Sequence, residues 1–398
     1  MNFKTLLLSL ALGLTACTGG KYAGVPEKYH ALLDEAMAKA GENVTELEQA
    51  LKETPADQKE GMAFLIAYMP ERDAKDLKAA FLLENVALAY QAKAEFPWVK
   101  EIPEDVFLND VLPYVSLNEK RENWRPDFYK RFSKYVANCK TLEEAIQAVN
   151  KNIRDEVQVD YNTKRKKPDQ APFESISQHM ASCSGLSILL TDAFRAVGIP
   201  SRVAGTPNWH DGRGNHNWTE VWLNGEWHFT EYYIPERLDY TWFLADAGKA
   251  KKDDLKKAIY ASSFKPTGTY FPLVWDRNIR YVHAENVTDR YVRIYNECHS
   301  SQVSDGNHVE VKVMVFKDKQ HAKASADRVA TNMDVFRGKD QMGGGRSAGP
   351  TQDMNDVLSF MLEKNHTYTI KFVNGERKME SYELKVTDKD QLVKLYMK

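Results

Sequence analysis

From Pro26 to about Val157, apolar positions recur every three or four residues, the period of helices with one buried face. PEKYHALLDEAMAKAG begins on a proline and closes at Gly41, residues that open and end helices. ADQKEGMAFLIAYMP stops at Pro70. The next segment is expected to start on Asp73 as N-cap and end before Pro97, with Leu82, Val86 and Tyr90 on one face. RPDFYKRFSKYVAN and TLEEAIQAVNKNIRDEV give two more helices. Thr141 and Glu144 open the second as a capping box.

From Ser201 the period falls to two. SRVAGTPNW reads as a strand, and HNWTEVWLNGEWHFTEYY as two strands joined by Asn224-Gly225, a strong hairpin signal. Cross-strand partners then have numbers summing to about 449, which sets His216 opposite position 233 and brings Glu231 within reach of its ring. Residues 242–264 return to helical spacing. Beyond Asn278 strands dominate: Val309, Val311, Val313 and Val315 alternate with Glu310 and Lys312, and Asn374-Gly375 marks another hairpin. The Gly-rich segment Gly338–Asp356 is expected to be a mobile loop. The basic loop Asn162–Pro172 reads as a solvated connection rather than a docking patch.

These patterns divide the chain into a leader and linker (1–24), a helical region (25–137), an α+β core with an antiparallel sheet (138–275) and a C-terminal β-sandwich (276–398). In the leader, Lys4 precedes a short apolar run ending in Leu14-Thr15-Ala16-Cys17. That tetrad resembles the bacterial lipobox, whose cysteine is lipidated. With Thr18 next, the resemblance implies an envelope lipoprotein anchored in the outer membrane through Cys17. A net charge of -2 over 398 residues gives no electrostatic case for nucleic acid.

Three further cysteines, Cys139, Cys183 and Cys298, are too few and of the wrong parity for a disulfide framework. Cys183 heads the apolar run SGLSILLTDAFRAVG, which ends at Gly198 with Pro200 after it. A cysteine at a helix N-terminus faces unpaired N–H groups and the positive end of the helix dipole, which favour the thiolate. His216 is the candidate base and Glu231 its orienting acid, with Asp239 as fallback. His179, four residues before Cys183, has no matching second ligand pair, so no metal is expected. No loop carries calcium-ligand spacing, and no cofactor is implied.

Cys183 before a buried helix, RAVGIPSRVAG, His216-Asn217-Trp218 on a strand and Trp227 followed four residues later by an acid together resemble the transglutaminase-like superfamily, a papain-like cysteine fold. The resemblance is close over Cys183–Glu231 and extends in outline over Thr141–Phe264. The sequence departs from the family pattern in placing glutamate, not aspartate, at 231. The resemblance implies that Cys183 attacks an amide carbonyl to form a thioester. His216 would carry the proton and Glu231 would hold the imidazole. The Cys183 N–H and Gln178 would form an oxyanion hole. Separately from the resemblance, Trp209, Trp218, Trp222 and Trp227 read mostly as sheet core, with Trp209 alone expected to face the cleft.

The reading is thiol-dependent hydrolysis or acyl transfer at amide bonds of proteins or peptides. Two rivals stay open: an amidase acting on a cell-wall peptide or glycopeptide, and a non-catalytic scaffold whose β-sandwich binds a partner.

Overall fold

The computed structural model describes residues 20–210, 212, 214–234, 237–239, 241, 243–300, 306–375 and 378–397. The lipobox and Cys17 lie outside the described residues.

The chain opens on helices α1 (His30–Ala40), α2 (Val44–Glu53), α3 (Lys59–Tyr68), α4 (Glu71–Ala74), α5 (Ala79–Glu95) and α6 (Glu104–Asp110). α5 starts at Ala79, not at an Asp73 cap. Asp73 is buried instead, its carboxylate accepting from Arg121 Nε at 3.0 Å and from the Tyr114 hydroxyl at 2.9 Å. Helices α7 (Arg125–Val136) and α8 (Leu142–Val157) follow. Thr141 Oγ1 caps α8 by accepting from the Glu144 N–H, while the Glu144 carboxylate reaches one residue further back, to the Lys140 N–H.

Strand β1 (Asp160–Tyr161) pairs in parallel with β2 (Met180–Ala181). Between them lie the basic loop and α9 (Pro172–Gln178). Then comes α10 (Cys183–Ala196), whose Ile188, Leu189, Leu190 and Phe194 are fully buried. It packs on an antiparallel sheet of β3 (Ser201–Thr206), β4 (His216–Leu223), β5 (Glu226–Thr230), β6 (Tyr260–Ser263) and β7 (His283–Asn286), ordered β5-β4-β3-β6-β7. The hairpin register is as expected: Thr219 pairs with Thr230 and Trp222 with Trp227. Asn224 and Gly225 both take positive φ, the conformation a two-residue turn of this hand requires.

One continuous apolar core runs from Tyr22 through α7, α8 and α10 to Leu223, so the helical region and the sheet share an interior. Buried arginines fasten the joint. Arg125 donates to the carbonyls of Val111, Leu112, Pro113 and Arg195, and Arg195 to those of Asp110, Val115 and Ser201. A buried guanidinium needs such acceptors for each donor it takes from water.

The expected helix over 242–264 shrinks to α11 (Leu244–Ala247), and β6 takes up the end of that stretch. The lysine-rich middle folds as turns, because only Ala258 and Ile259 there are buried and no apolar stripe remains for a helix to bury. The core extends past residue 275, since β7 pairs with β6 and α12 (Thr288–Ser300) packs Tyr291 and Ile294 beneath Trp218 and Phe229.

The C-terminal sandwich comprises β8 (His308–Phe316), β9 (Asn332–Arg337), β10 (Asp340–Arg346), β11 (Leu358–Glu363), β12 (Thr367–Val373), β13 (Met379–Lys385) and β14 (Gln391–Tyr396). Its sheets are β11-β8-β14 and β10-β9-β12-β13, with one core between them. Part of the expected mobile loop is therefore strand β10, held against β9. Glu310 and Lys312, on the polar face of β8, are buried because that face meets the core. There Lys312 pairs with Asp246, and Lys249 with Glu310 and Asp390. The whole is an α+β protein.

Candidate active site

Cys183 is the first residue of α10. Ser182 caps the helix, its Oγ accepting from the Gly185 N–H at 3.0 Å and donating to the Pro168 carbonyl at 2.5 Å. The cap fixes the thiol's direction and leaves backbone N–H groups at the helix mouth. At the other end Gly198 adopts φ +76, and a Cβ there would lie 2.4 Å from Val99 Cγ2. The stop is both a left-handed turn and a close approach.

His216 opens β4 and is 4% exposed. Its Nε2 lies 2.6 Å from Glu231 Oε1, just past the end of β5. With Nε2 committed to Glu231, Nδ1 is the nitrogen left for the thiol. Burial works against a charge on the imidazole, yet hydrogen bonds to Cys183 and Glu231, with their charges, outweigh it and raise the His216 pKa well above its ordinary value. The imidazolium is thus the favoured form. The fallback acid, Asp239, is engaged elsewhere: it accepts from the Phe229 N–H at 2.9 Å and pairs with His228 Nδ1 at 2.6 Å.

Two further expectations meet a different placement. Gln178 does not line the cleft. Its Nε2 donates to the Glu174 carbonyl at 3.0 Å and its Oε1 accepts from the Lys166 N–H, so its amide ties α9 to the basic loop. Trp209 is 1% exposed and stacks on Trp218, with ring centroids 6.0 Å apart, while packing beside His216. It is core behind the imidazole, and Trp218 lines the cleft instead. His179 pairs its Nδ1 with the Gln158 carbonyl. Cys139 is a free thiol whose pKa burial pushes up, and Cys183 is also free.

The cleft has a volume of about 350 Å³. Besides Cys183, His216 and Glu231 it is lined by Tyr161, Ser187 and Trp218, and by Gln352, Asp353 and Asp356 from the C-terminal sandwich. The loop before β11 reaches it as a strap. Arg328 holds the strap by donating to the carbonyls of Asp353 (2.6 Å) and Asp356, and Asn355 Nδ2 donates to the Asn215 carbonyl at 2.8 Å. The Tyr161 hydroxyl donates to Asp353 Oδ2 at 2.9 Å. Burial, then the charges of Asp353 and Cys183, push the Tyr161 pKa up, so it stays a donor. One donor atom each from Cys183, His216 and Asp353 lies within 4.8 Å of the others, a set that could take a divalent ion. Sequence reading missed the strap, because Asp353 lies 170 positions from Cys183 with no local signal of facing it, and it missed Tyr161, which reaches the thiol only through the parallel pairing of β1 with β2.

Residues 130–247 match the model of the transglutaminase-like superfamily. No curated protein matches the chain. Among solved structures, a proposed cysteine protease from Cytophaga hutchinsonii aligns at 18% identity and a TM-score of 0.28, covering 35% of this chain and 46% of that one. The transglutaminase of red sea bream aligns at 11% identity and a TM-score of 0.23, covering 62% and 53%. The chain thus spans about half the length of each. The core carries a transglutaminase-like domain.

Proposed function

We propose that the protein is a thiol-dependent hydrolase or acyl transferase acting on amide bonds of proteins or peptides. The observation that carries this reading is the arrangement of Cys183, His216 and Glu231: a capped helix-N-terminal thiol, a buried imidazole with a ring nitrogen within 4.8 Å of it, and a carboxylate 2.6 Å from the imidazole Nε2.

In this reading Cys183 Sγ attacks the amide carbonyl carbon. The C–N bond breaks to leave a thioester, and the departing amine takes its proton from His216. Water or a second amine then attacks the thioester, giving its proton to His216, and the C–S bond breaks to release the Cys183 thiolate. Glu231 keeps the ring oriented and steadies its positive charge. The Cys183 N–H, free at the first helical position, supports the developing oxyanion. Membrane anchoring through a lipidated Cys17 belongs to the same proposal. Incorporation of labelled fatty acid, lost in Cys17→Ser, checks that part.

The test of the activity is a peptide library incubated with the protein and read by mass spectrometry. Cleavage or amine incorporation is expected, to be lost in Cys183→Ala, with a hydroxamate formed when hydroxylamine intercepts the thioester. Equal turnover by Cys183→Ala would sink the reading.

A further inference from the structure

We infer that Asp353 determines substrate specificity: the group bound beside Cys183 is a cation, a primary ammonium or a guanidinium on the peptide substrate. The inference rests on the proposed nucleophile and names the chemistry of what it attacks.

Asp353 belongs to the sandwich yet sits at the thiol, one of its carboxylate oxygens within 4.8 Å of the Cys183 and His216 donor atoms. Two features keep it there. Tyr161, on β1 beside the nucleophile, donates to Oδ2, and Arg328 grips the strap through backbone carbonyls. Arg328 therefore places the strap without forming an ion pair with either carboxylate. Among the described residues neither Asp353 nor Asp356 has a salt-bridge partner: Asp353 Oδ1 accepts from the Asn355 N–H at 2.8 Å, Asp356 Oδ2 from the Gln352 amide at 2.6 Å, and Arg165 lies over the Tyr161 ring at 5.7 Å. In the same cleft Glu231 Oε2 is buried without a hydrogen-bond partner. His216 pairs with Glu231, whereas Asp353 and Asp356 accept only neutral donors, from Tyr161, the Asn355 N–H and the Gln352 amide, and a cationic ligand group supplies their counter-charge. At about 350 Å³ the cleft takes a side chain or two rather than a long polypeptide segment, so one substrate group meets Asp353 directly.

The test reads charge preference at Cys183 without needing a known substrate. The full chain is treated with 2-aminoethyl methanethiosulfonate (cationic) and methyl methanethiosulfonate (neutral), and rates at each cysteine are followed by peptide mapping. In each reaction the thiolate attacks the sulfenyl sulfur, a disulfide forms and methanesulfinate leaves. The cationic-to-neutral rate ratio at Cys183 is expected to exceed that at Cys139 by about tenfold and to fall by about as much in Asp353→Asn, with Asp353→Glu restoring it. Should Asp353→Asn fail to fold, the wild-type ratio still decides, because it is expected to fall as salt rises from low to molar concentration.

An unchanged ratio in Asp353→Asn, or a ratio near that of Cys139 and indifferent to salt, overturns the inference. If Cys183 reacts sluggishly with the neutral reagent, the nucleophile reading fails, while the ratio still reports on Asp353. Matched lysine and norleucine coumarin amides complete the assignment: the lysine amide is expected to be preferred, and preference for norleucine contradicts the claim.

Discussion

His216 Nε2 lies 2.6 Å from Glu231 Oε1, a contact made by the Asn224-Gly225 hairpin, which folds residues 15 apart in sequence onto one end of the sheet. The glutamate is a methylene longer than an aspartate. Its placement just beyond the last paired residue, Thr230, gives that length room. Glu231→Gln keeps the shape and removes the charge. The raised His216 pKa should then drop towards the ordinary histidine value, and the alkaline limb of the pH–rate profile should move to lower pH. Activity near neutrality should fall by about 10²-fold. A pH–kcat/KM profile checks this, and an unmoved alkaline limb would mean that Glu231 does not set the imidazole's charge.

Gly205 on β3 pairs with Asn217 on β4, the residue after His216. A Cβ there would meet Asn217 Oδ1 at 2.1 Å and the His216 carbonyl oxygen at 2.6 Å. Asn217 in turn donates to Ser184 Oγ at 2.8 Å, next to the thiol. Gly205→Ala should destabilise by about 1–3 kcal/mol through overpacking. It should also lower kcat by tenfold or more, since the strand that must yield carries the imidazole. Chemical denaturation alongside kinetics at saturating substrate separates the two effects.

Asp110 ends α6 in the shared interior, and its Oδ1 is buried without a partner. Burial raises its pKa to about 7, with Arg202 and Arg195 only partly opposing the rise. A carboxyl whose folded pKa exceeds its unfolded value contributes stability that is fully present below the unfolded pKa of about 4. That contribution is lost as pH rises through the folded value. Asp110→Asn mimics the protonated acid. Its stability relative to wild type should therefore be near zero at pH 4 and grow in the variant's favour up to about pH 7. Urea unfolding across pH 4–8 measures the difference, and a flat difference would contradict the assignment.

The donor atoms of Cys183, His216 and Asp353 lie within 4.8 Å of one another, a spacing that suits a zinc ion. Micromolar zinc should inhibit reversibly, because an ion bound to the thiolate removes the nucleophile. A chelator should restore activity, and Asp353→Asn should raise the inhibition constant about tenfold. Inhibition indifferent to Asp353 would place the ion elsewhere.

Much of the site was legible because its parts are local. The apolar run after Cys183, the stop at Gly198 and the Asn-Gly turn each act over a few residues, and the hairpin's fixed register brought Glu231 to His216. What escaped the sequence depends on contacts between distant segments. Trp209 had the composition of a cleft wall, but stacking on Trp218 buries it. Gln178 stood at a plausible spacing before the thiol, but the left-handed turn at His179 ends α9 with its amide directed at the basic loop. The segment Gly338–Asp356 looked mobile because glycine dominates it. Its first part pairs with β9, and its last part is pinned by Arg328, an interaction no local pattern encodes.

The most direct test of the central claim is the alkylation rate of Cys183 by iodoacetamide across pH, with Cys139 as the internal comparison and His216→Ala as the paired variant. If Cys183 is a nucleophile activated by His216, it reacts at least tenfold faster than Cys139 at neutral pH, and His216→Ala abolishes the advantage. Equal rates at the two cysteines, or an advantage that survives the loss of His216, would contradict the assignment of this cleft as a thiol active site.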